Sequence, residues 1–196
     1  MTWHFDQSFQ RRWESSLGSA ADYVYGRAKR AGGRMADGRE NLAELEATYR
    51  SIAGGAELLD YLGKVPSFHD GEIISLELHR NAPSYLRVHG FAVNVSGSKM
   101  DWKNAKHAIV TFELEQIVDL QLDGFSTQNV IDSLMIERKP PPFERVNYMW
   151  KEDAAALDFE LTLEPCFGLD GRIRCKGISI TFEKRIPPDS IYNNVE

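Results

Sequence analysis

Cysteine is scarce in this chain: only Cys166 and Cys175 occur in 196 residues, in neither a CxxC pair nor a zinc-ligand spacing. That excludes the disulfide framework of a small secreted domain and points to a reducing compartment. Long apolar runs are missing too. No stretch approaches the roughly 20 apolar residues that span a bilayer, and the opening MTWHFDQSFQRRWESS holds no apolar signal core. A cytoplasmic location is the expectation. Basic charge is outweighed, with 23 Lys+Arg against 29 Asp+Glu and a net charge of −6, which argues against a nucleic-acid binder. Catalytic signatures are absent as well, since no GxSxG elbow, P-loop or GxGxxG turn occurs.

What remains is an ordinary folding composition: 42% hydrophobic, 11% aromatic and 27% charged residues, enough for one main core. The charge is uneven. Residues 1 to 64 hold 9 Lys+Arg and 9 Asp+Glu, whereas the remainder holds 14 and 20, so the acidic excess lies after residue 64. Periodicity divides the chain at a similar place. Helices are predicted over 19–31, 37–53 and 56–62, the second from Leu42, Leu45, Tyr49 and Ile52 at spacings of three and four, with Gly54 and Gly55 as its stop. Beyond Pro66 the period becomes two. In EIISLEL, Ile74, Leu76 and Leu78 point one way and Ser75, Glu77 and His79 the other. Further strands are expected at 85–95, 108–114, 118–122, 130–137, 157–163 and 172–182. The run KPPPF at 139–143 reads as an exposed loop, because prolines offer no ladder donors. The fold class is therefore α+β: N-terminal helices followed by a predominantly antiparallel β-sheet domain, with a helical extension over 1–53 and the β-rich domain over 54–196.

A hairpin register follows from taking Asp170-Gly171 as a type I′ turn. It sets Leu163 opposite Ile178, Leu161 opposite Ile180 and Phe159 opposite Phe182. It also sets Cys166 opposite Cys175 on the polar face, where a cross-strand disulfide is conceivable and two free thiols are favoured by a reducing compartment.

Among chemistry-bearing residues, His69, Asp70 and Glu72 in PSFHDGEI form the most site-like cluster, because a His beside two carboxylates can bind a metal or relay a proton. A metal-dependent hydrolase using these three is the alternative reading. No second HD pair or HxxxH accompanies them, and the segment reads more simply as a tight entry turn into a strand. His79 and His89 fall on successive strands and could approach His69, although strand-borne histidines at unrelated spacing are usually surface residues. His4 and His107 read as surface or loop residues. No catalytic residue, metal or cofactor is assigned.

Alternation places Glu113, Glu115, Asp119, Asp123, Asp158, Glu160 and Glu164 on the non-core side of their strands, while Leu76, Phe112, Leu114, Leu120, Leu122, Phe159 and Leu161 turn inward. Such an acidic face either solvates the sheet or steers a basic partner to it. Tyr148, Trp150, Trp102 and Phe125 could serve as anchors or as packing residues.

Three segments, GAELLDYLGKVPSFHDGEIISLELHR at 55–80, AIVTFELEQIVDLQLDGFSTQNVIDSLMI at 108–136 and LDFELTLEPCFGLDGRIRCKGISI at 157–180, together resemble the immunity protein 50 family of bacterial polymorphic toxin systems. Pro66, Ser67, Phe68, His69 and Asp70 of PSFHD and Phe125, Gln128 and Asn129 of DGFSTQNV carry the resemblance. Val65-Pro66 and Gly71 depart from the family's Trp-Pro and Ala around SFHD. The resemblance implies an antitoxin-like protein that binds and neutralises a cognate toxin and brings no catalytic residues with it; stoichiometric occlusion is the expected mode, and the acidic face suits a basic nuclease as partner by charge complementarity.

Overall fold

The computed structural model describes residues 35–66, 68–96, 99–141 and 156–188. The helix expected over 19–31 lies outside the described residues. Among the described residues two helices come first, α1 at Met35–Ser51 and α2 at Gly55–Leu62, followed by six strands: β1 Glu72–Glu77, β2 Ser84–Ser96, β3 Lys99–Asp123, β4 Val130–Lys139, β5 Asp158–Phe167 and β6 Asp170–Glu183. The chain divides into two compact units, 1–43 and 44–196. Antiparallel sheet dominates the second unit, and the second half of α1 belongs to it.

The sheet closes on itself in the order β1-β2-β3-β6-β5-β4, with the seam made where Glu72 of β1 faces Val130 of β4. Closure changes what alternation means, because one side of every strand faces an enclosed core and the other faces outward. Leu86 and Val88 of β2, Val110, Phe112 and Leu114 of β3, Ile131, Leu134 and Ile136 of β4, Leu161 and Leu163 of β5 and Ile173 of β6 are buried in one cluster. Tyr49, Ile52, Leu58, Leu59 and Leu62 from the helices join it. The helical spacing thus carries through to packing, except that Leu42 is exposed. Gly54 turns the chain between the helices with φ of 80°, and a Cβ there would lie 1.8 Å from the Ile180 carbonyl oxygen. That close approach lets Ile180 N–H donate to the Ala53 carbonyl at 2.8 Å.

Bulges in β1, β3 and β4 overrule simple alternation. In β1 a register shift between Ile73 and Ser75 buries Ile73 and leaves Ile74 exposed, opposite to the expected inward set of Ile74, Leu76 and Leu78. Leu76 is only partly buried and Leu78 is exposed. In β3 the shift between Ile117 and Asp119, with Gln116 at φ of 51°, joins the two strands expected at 108–114 and 118–122 into one. Leu120 faces Ile173 there yet stays 37% exposed, so it is not the core residue expected. In β4 the irregularity falls around Asp132.

The hairpin register also differs. Phe159 pairs with Cys175, Leu161 with Ile173 and Leu163 with Gly171, seven residues away from the register built on Asp170-Gly171. The turn is made at Gly168, with φ of 83°, where Leu169 N–H donates to Asn129 Oδ1 at 3.1 Å from another loop. A tertiary hydrogen bond therefore chose between two plausible local turns. Phe159, Leu161 and Leu163 keep their inward side, but the cysteines separate: Cys175 is buried in the core, Cys166 is exposed, and no disulfide joins them. Burial pushes the Cys175 thiol up to about 12. The proline run does end β4 at Lys139, though Pro141 is buried and not exposed.

His107 is no loop residue. It sits on β3, where its ring stacks on His89 with centroids 5.3 Å apart and its Nδ1 lies 3.1 Å from His89 Nε2. One imidazole must donate and the other accept, which requires at least the accepting ring to be neutral. His89 is fully buried, and burial, with repulsion from His107 second, lowers its pKa to about 4. His107 is lowered as well, by burial. An unfolded His89 would take up a proton near pH 6.5, whereas the folded one resists until about pH 4. Stability contributed by neutral His89 is therefore complete above pH 6.5 and falls as pH drops toward 4, by about 3 kcal/mol for a shift of that size. Urea unfolding at pH 7.0, 5.5 and 4.5 is expected to show this loss, and a His89→Gln variant to lose most of the slope in that window.

Candidate functional site

The two motif segments converge at the seam that closes the barrel. Phe68 leaves the surface and inserts into the core, edge-on to Phe112 with centroids 5.9 Å apart. Its ring occupies the space a side chain at position 90 would need: a Cβ on Gly90 would lie 2.7 Å from Phe68 Cδ1. Phe68 and Asp70 both adopt positive φ, 55° and 59°. This tight turn is held by Gly71 N–H donating to Phe68 O at 2.8 Å, Asp70 N–H to Ile131 O at 2.9 Å and Ile131 N–H to Gly71 O at 2.8 Å. Ser67 lies outside the described residues, and Pro66 is buried.

From the other side, Ile73 N–H donates to the Asn129 carbonyl at 2.9 Å. The Asn129 side chain accepts from Ser126 N–H and Leu169 N–H, both at 3.1 Å, and donates to Ser126 O at 2.8 Å. It thereby ties the loop after β3 to the turn between β5 and β6. Gln128 is exposed, and its carbonyl accepts from Ser126 Oγ at 2.6 Å. Beside these contacts stand two exposed aromatic rings on neighbouring turns, Phe125 at 70% and Phe167 at 63% exposure. Most of the described motif residues are thus architectural, and Phe125 and Gln128 are the exposed ones among them.

His69 is half-buried in the same turn, and the cluster around it differs from the one expected. Its Nε2 lies 3.5 Å from Asp70 Oδ2, and its Nδ1 lies 3.1 Å from the Asp132 carbonyl and 3.3 Å from Asp132 Oδ1. Glu72 is not part of this group: it has already entered β1, where it faces His89 and Val130. His79 and His89 do not join His69 either. His79 stands near Glu77 and Tyr85, and His89 is spent on His107. The residues that do arrive, Asp132 and Cys166, come from β4 and β5, and only the fold brings them near. The Asp70 carboxyl is raised from its ordinary value, by burial first, with His69 opposing and Asp132 reinforcing the rise.

The acidic set splits in two. Asp158 and Glu160 are buried, Asp158 completely, in contrast to the solvent-facing positions expected of them. Lys176 Nζ lies 3.0 Å from Asp158 Oδ1, Lys139 Nζ lies 2.9 Å from Glu160 Oε1, and the Arg174 guanidinium binds Glu160 Oε2. Burial alone would raise the Glu160 carboxyl, but hydrogen bonds from Lys139 and Arg174 bring it below its ordinary value. Alternation set these carboxylates on the strand side opposite Phe159 and Leu161 and could not show that cations and cover meet them. Glu115, Asp123 and Glu164 are exposed, and Glu113 and Asp119 are partly so. Glu164 accepts from Ser133 Oγ at 2.8 Å. Among the described residues, Glu113, Glu115, Asp119 and Asp123 form no ion pair. Asp123 directly faces Asp170, a like-charge pair that no stability argument favours. Of the aromatic candidates, Trp102 packs against Phe91 with centroids 5.8 Å apart, while Tyr148 and Trp150 lie outside the described residues.

This division has a direct test. Glu160→Ala would leave Arg174 and Lys139 without their carboxylate and is expected to cost about 3–5 kcal/mol in urea unfolding. Glu115→Ala is expected to change stability by no more than about 0.5 kcal/mol.

No helix among the described residues is long and apolar enough to cross a membrane. No curated protein and no solved structure matches the chain. A family match covers α2 through β4, including both motif segments, and stops short of the β5–β6 hairpin. Residues 55–144 match the model of the family described as immunity protein 50, which supports the family assignment drawn from the sequence.

Proposed function

We propose that this protein is a cytoplasmic immunity protein that binds a cognate bacterial toxin domain and neutralises it by stoichiometric occlusion, without catalysis. The observation that carries this reading is the family match over 55–144, the segment that holds both motifs and the ion-pair-free carboxylates. The contact surface is the outer side of β3, with Glu113, Glu115, Asp119 and Asp123, flanked by Glu164 of β5 and by Phe125. Asp158 and Glu160 drop out of it, since their charges are already satisfied within the fold.

Electrostatics supports a basic partner. Exposed carboxylates that form no ion pair among the described residues raise the local negative potential, and positive charge from a partner would relieve the facing pair Asp123 and Asp170. A nuclease toxin, whose substrate demands a cationic surface, fits that requirement. Phe125, largely exposed at the tip of the loop after β3, supplies the apolar anchor that such an interface needs alongside its charges. The division into a helical extension at 1–53 and a binding domain at 54–196 is kept only as a functional proposal, because Thr48, Tyr49 and Ile52 are buried with the barrel unit.

Mixing the purified protein with the toxin domain encoded beside it is expected to give a one-to-one complex at low salt. The association rate should fall at least about tenfold between 50 and 500 mM salt. The double variant Glu115→Lys, Asp123→Lys should slow association about tenfold more than it speeds dissociation. Absence of a complex at low salt overturns the reading, and a salt-independent association rate overturns the charge-steered surface.

A further inference from the structure

We propose that His69, Asp70 and Cys166 form a binding site for a zinc-class divalent transition-metal ion at the seam of the barrel. The three offer one nitrogen, one oxygen and one sulfur donor, and these atoms all lie within 4.8 Å of one another. They come from two separate parts of the chain, the turn before β1 and the end of β5, so no local sequence spacing announces them. This site is independent of the toxin-binding surface and does not rest on it.

The geometry lies within a small side-chain adjustment of what the ion needs. Zinc ligands at 2.0–2.3 Å in tetrahedral arrangement stand about 3.3–3.8 Å from each other. His69 Nε2 and Asp70 Oδ2 already meet that spacing at 3.5 Å. Cys166 is exposed at the end of its strand, and its Sγ already lies within 4.8 Å of the His69 and Asp70 donor atoms, so a small rotation about its Cα–Cβ bond brings the sulfur to ligand distance. On binding, the sulfur–metal bond replaces the S–H bond and the proton leaves to solvent.

Asp132 acts as the positioning residue. It lies where the β4 register breaks, between Ile131 and Ser133, and that bulge aims it at the imidazole. With Nδ1 held between the Asp132 carbonyl and carboxylate, the ring proton belongs on Nδ1 and the lone pair of Nε2 faces Asp70. This carboxylate-to-histidine arrangement orients metal-binding imidazoles generally. Imidazole and thiolate together select zinc, cobalt and their neighbours over magnesium and calcium, which take oxygen ligands. Three protein ligands leave a fourth position open on the side where Cys166 meets solvent. The bound ion would also pin the Phe68 turn to the β5 end, tightening the seam that closes the sheet.

The full chain, purified with a chelator and dialysed, is titrated with cobalt(II) and followed by absorption. One equivalent is expected to produce a thiolate-to-cobalt charge-transfer band in the near ultraviolet, displaced by zinc. Cys166→Ser, an exposed substitution, should abolish that band and weaken zinc binding at least about tenfold, while Asp132→Asn keeps the band with weaker affinity. Zinc should raise Tm in the unsubstituted protein and not in Cys166→Ser. Failure to bind one equivalent at micromolar metal overturns the site. So does a charge-transfer band that survives Cys166→Ser, which would place the thiolate ligand elsewhere.

Discussion

Closure of the barrel depends on a short seam. Between β1 and β4 only Glu72 and Val130 face one another as strand partners, and the rest of the joint is made by backbone hydrogen bonds from the turn over 68–71 and from Asn129. Without that joint the sheet would have two free edges and an open core. The seam explains the turn's cost. Two non-glycine residues, Phe68 and Asp70, hold positive φ so that Phe68 can enter the core while Asp70 and Gly71 reach β4. Gly90 completes the arrangement by leaving room for the Phe68 ring.

Placing a family motif at such a joint accounts for its residue types without catalysis. Pro66 and Phe68 are buried, Asn129 bridges two turns, and His69 and Asp70 stand at the mouth with Asp132. These residues hold the shape of the joint.

Charge in the β-rich unit has two roles that composition merges. Glu160 and Asp158 bind Lys139, Arg174 and Lys176 and belong to the stability of the β4–β5–β6 side. Removing one partner there strands a buried charge, whereas the carboxylates of β3 stand in solvent and cost little to change. The same residue types, at the same strand parity, therefore answer to different physics. Glu113, Glu115, Asp119 and Asp123 on β3 form no ion pair among the described residues.

The sequence by itself determined the order of helices and strands, because helical and two-residue periods are local properties. Tyr49, Leu58, Phe112, Leu161 and Ile173 announce their elements through neighbours within a few positions. It also marked His69 and Asp70 as unusual. The tertiary structure decided what lies between distant segments: the bulges that expose Ile74 and Leu120, the Asn129 contact that moves the hairpin turn to Gly168, and the approach of Asp132 and Cys166 to His69. It also decided which carboxylates meet cations. The physical reason is that periodicity reports which side of a strand a residue takes, while partners, bulges and cover depend on hydrogen bonds and charges tens of residues away, which only closure of the barrel brings into range.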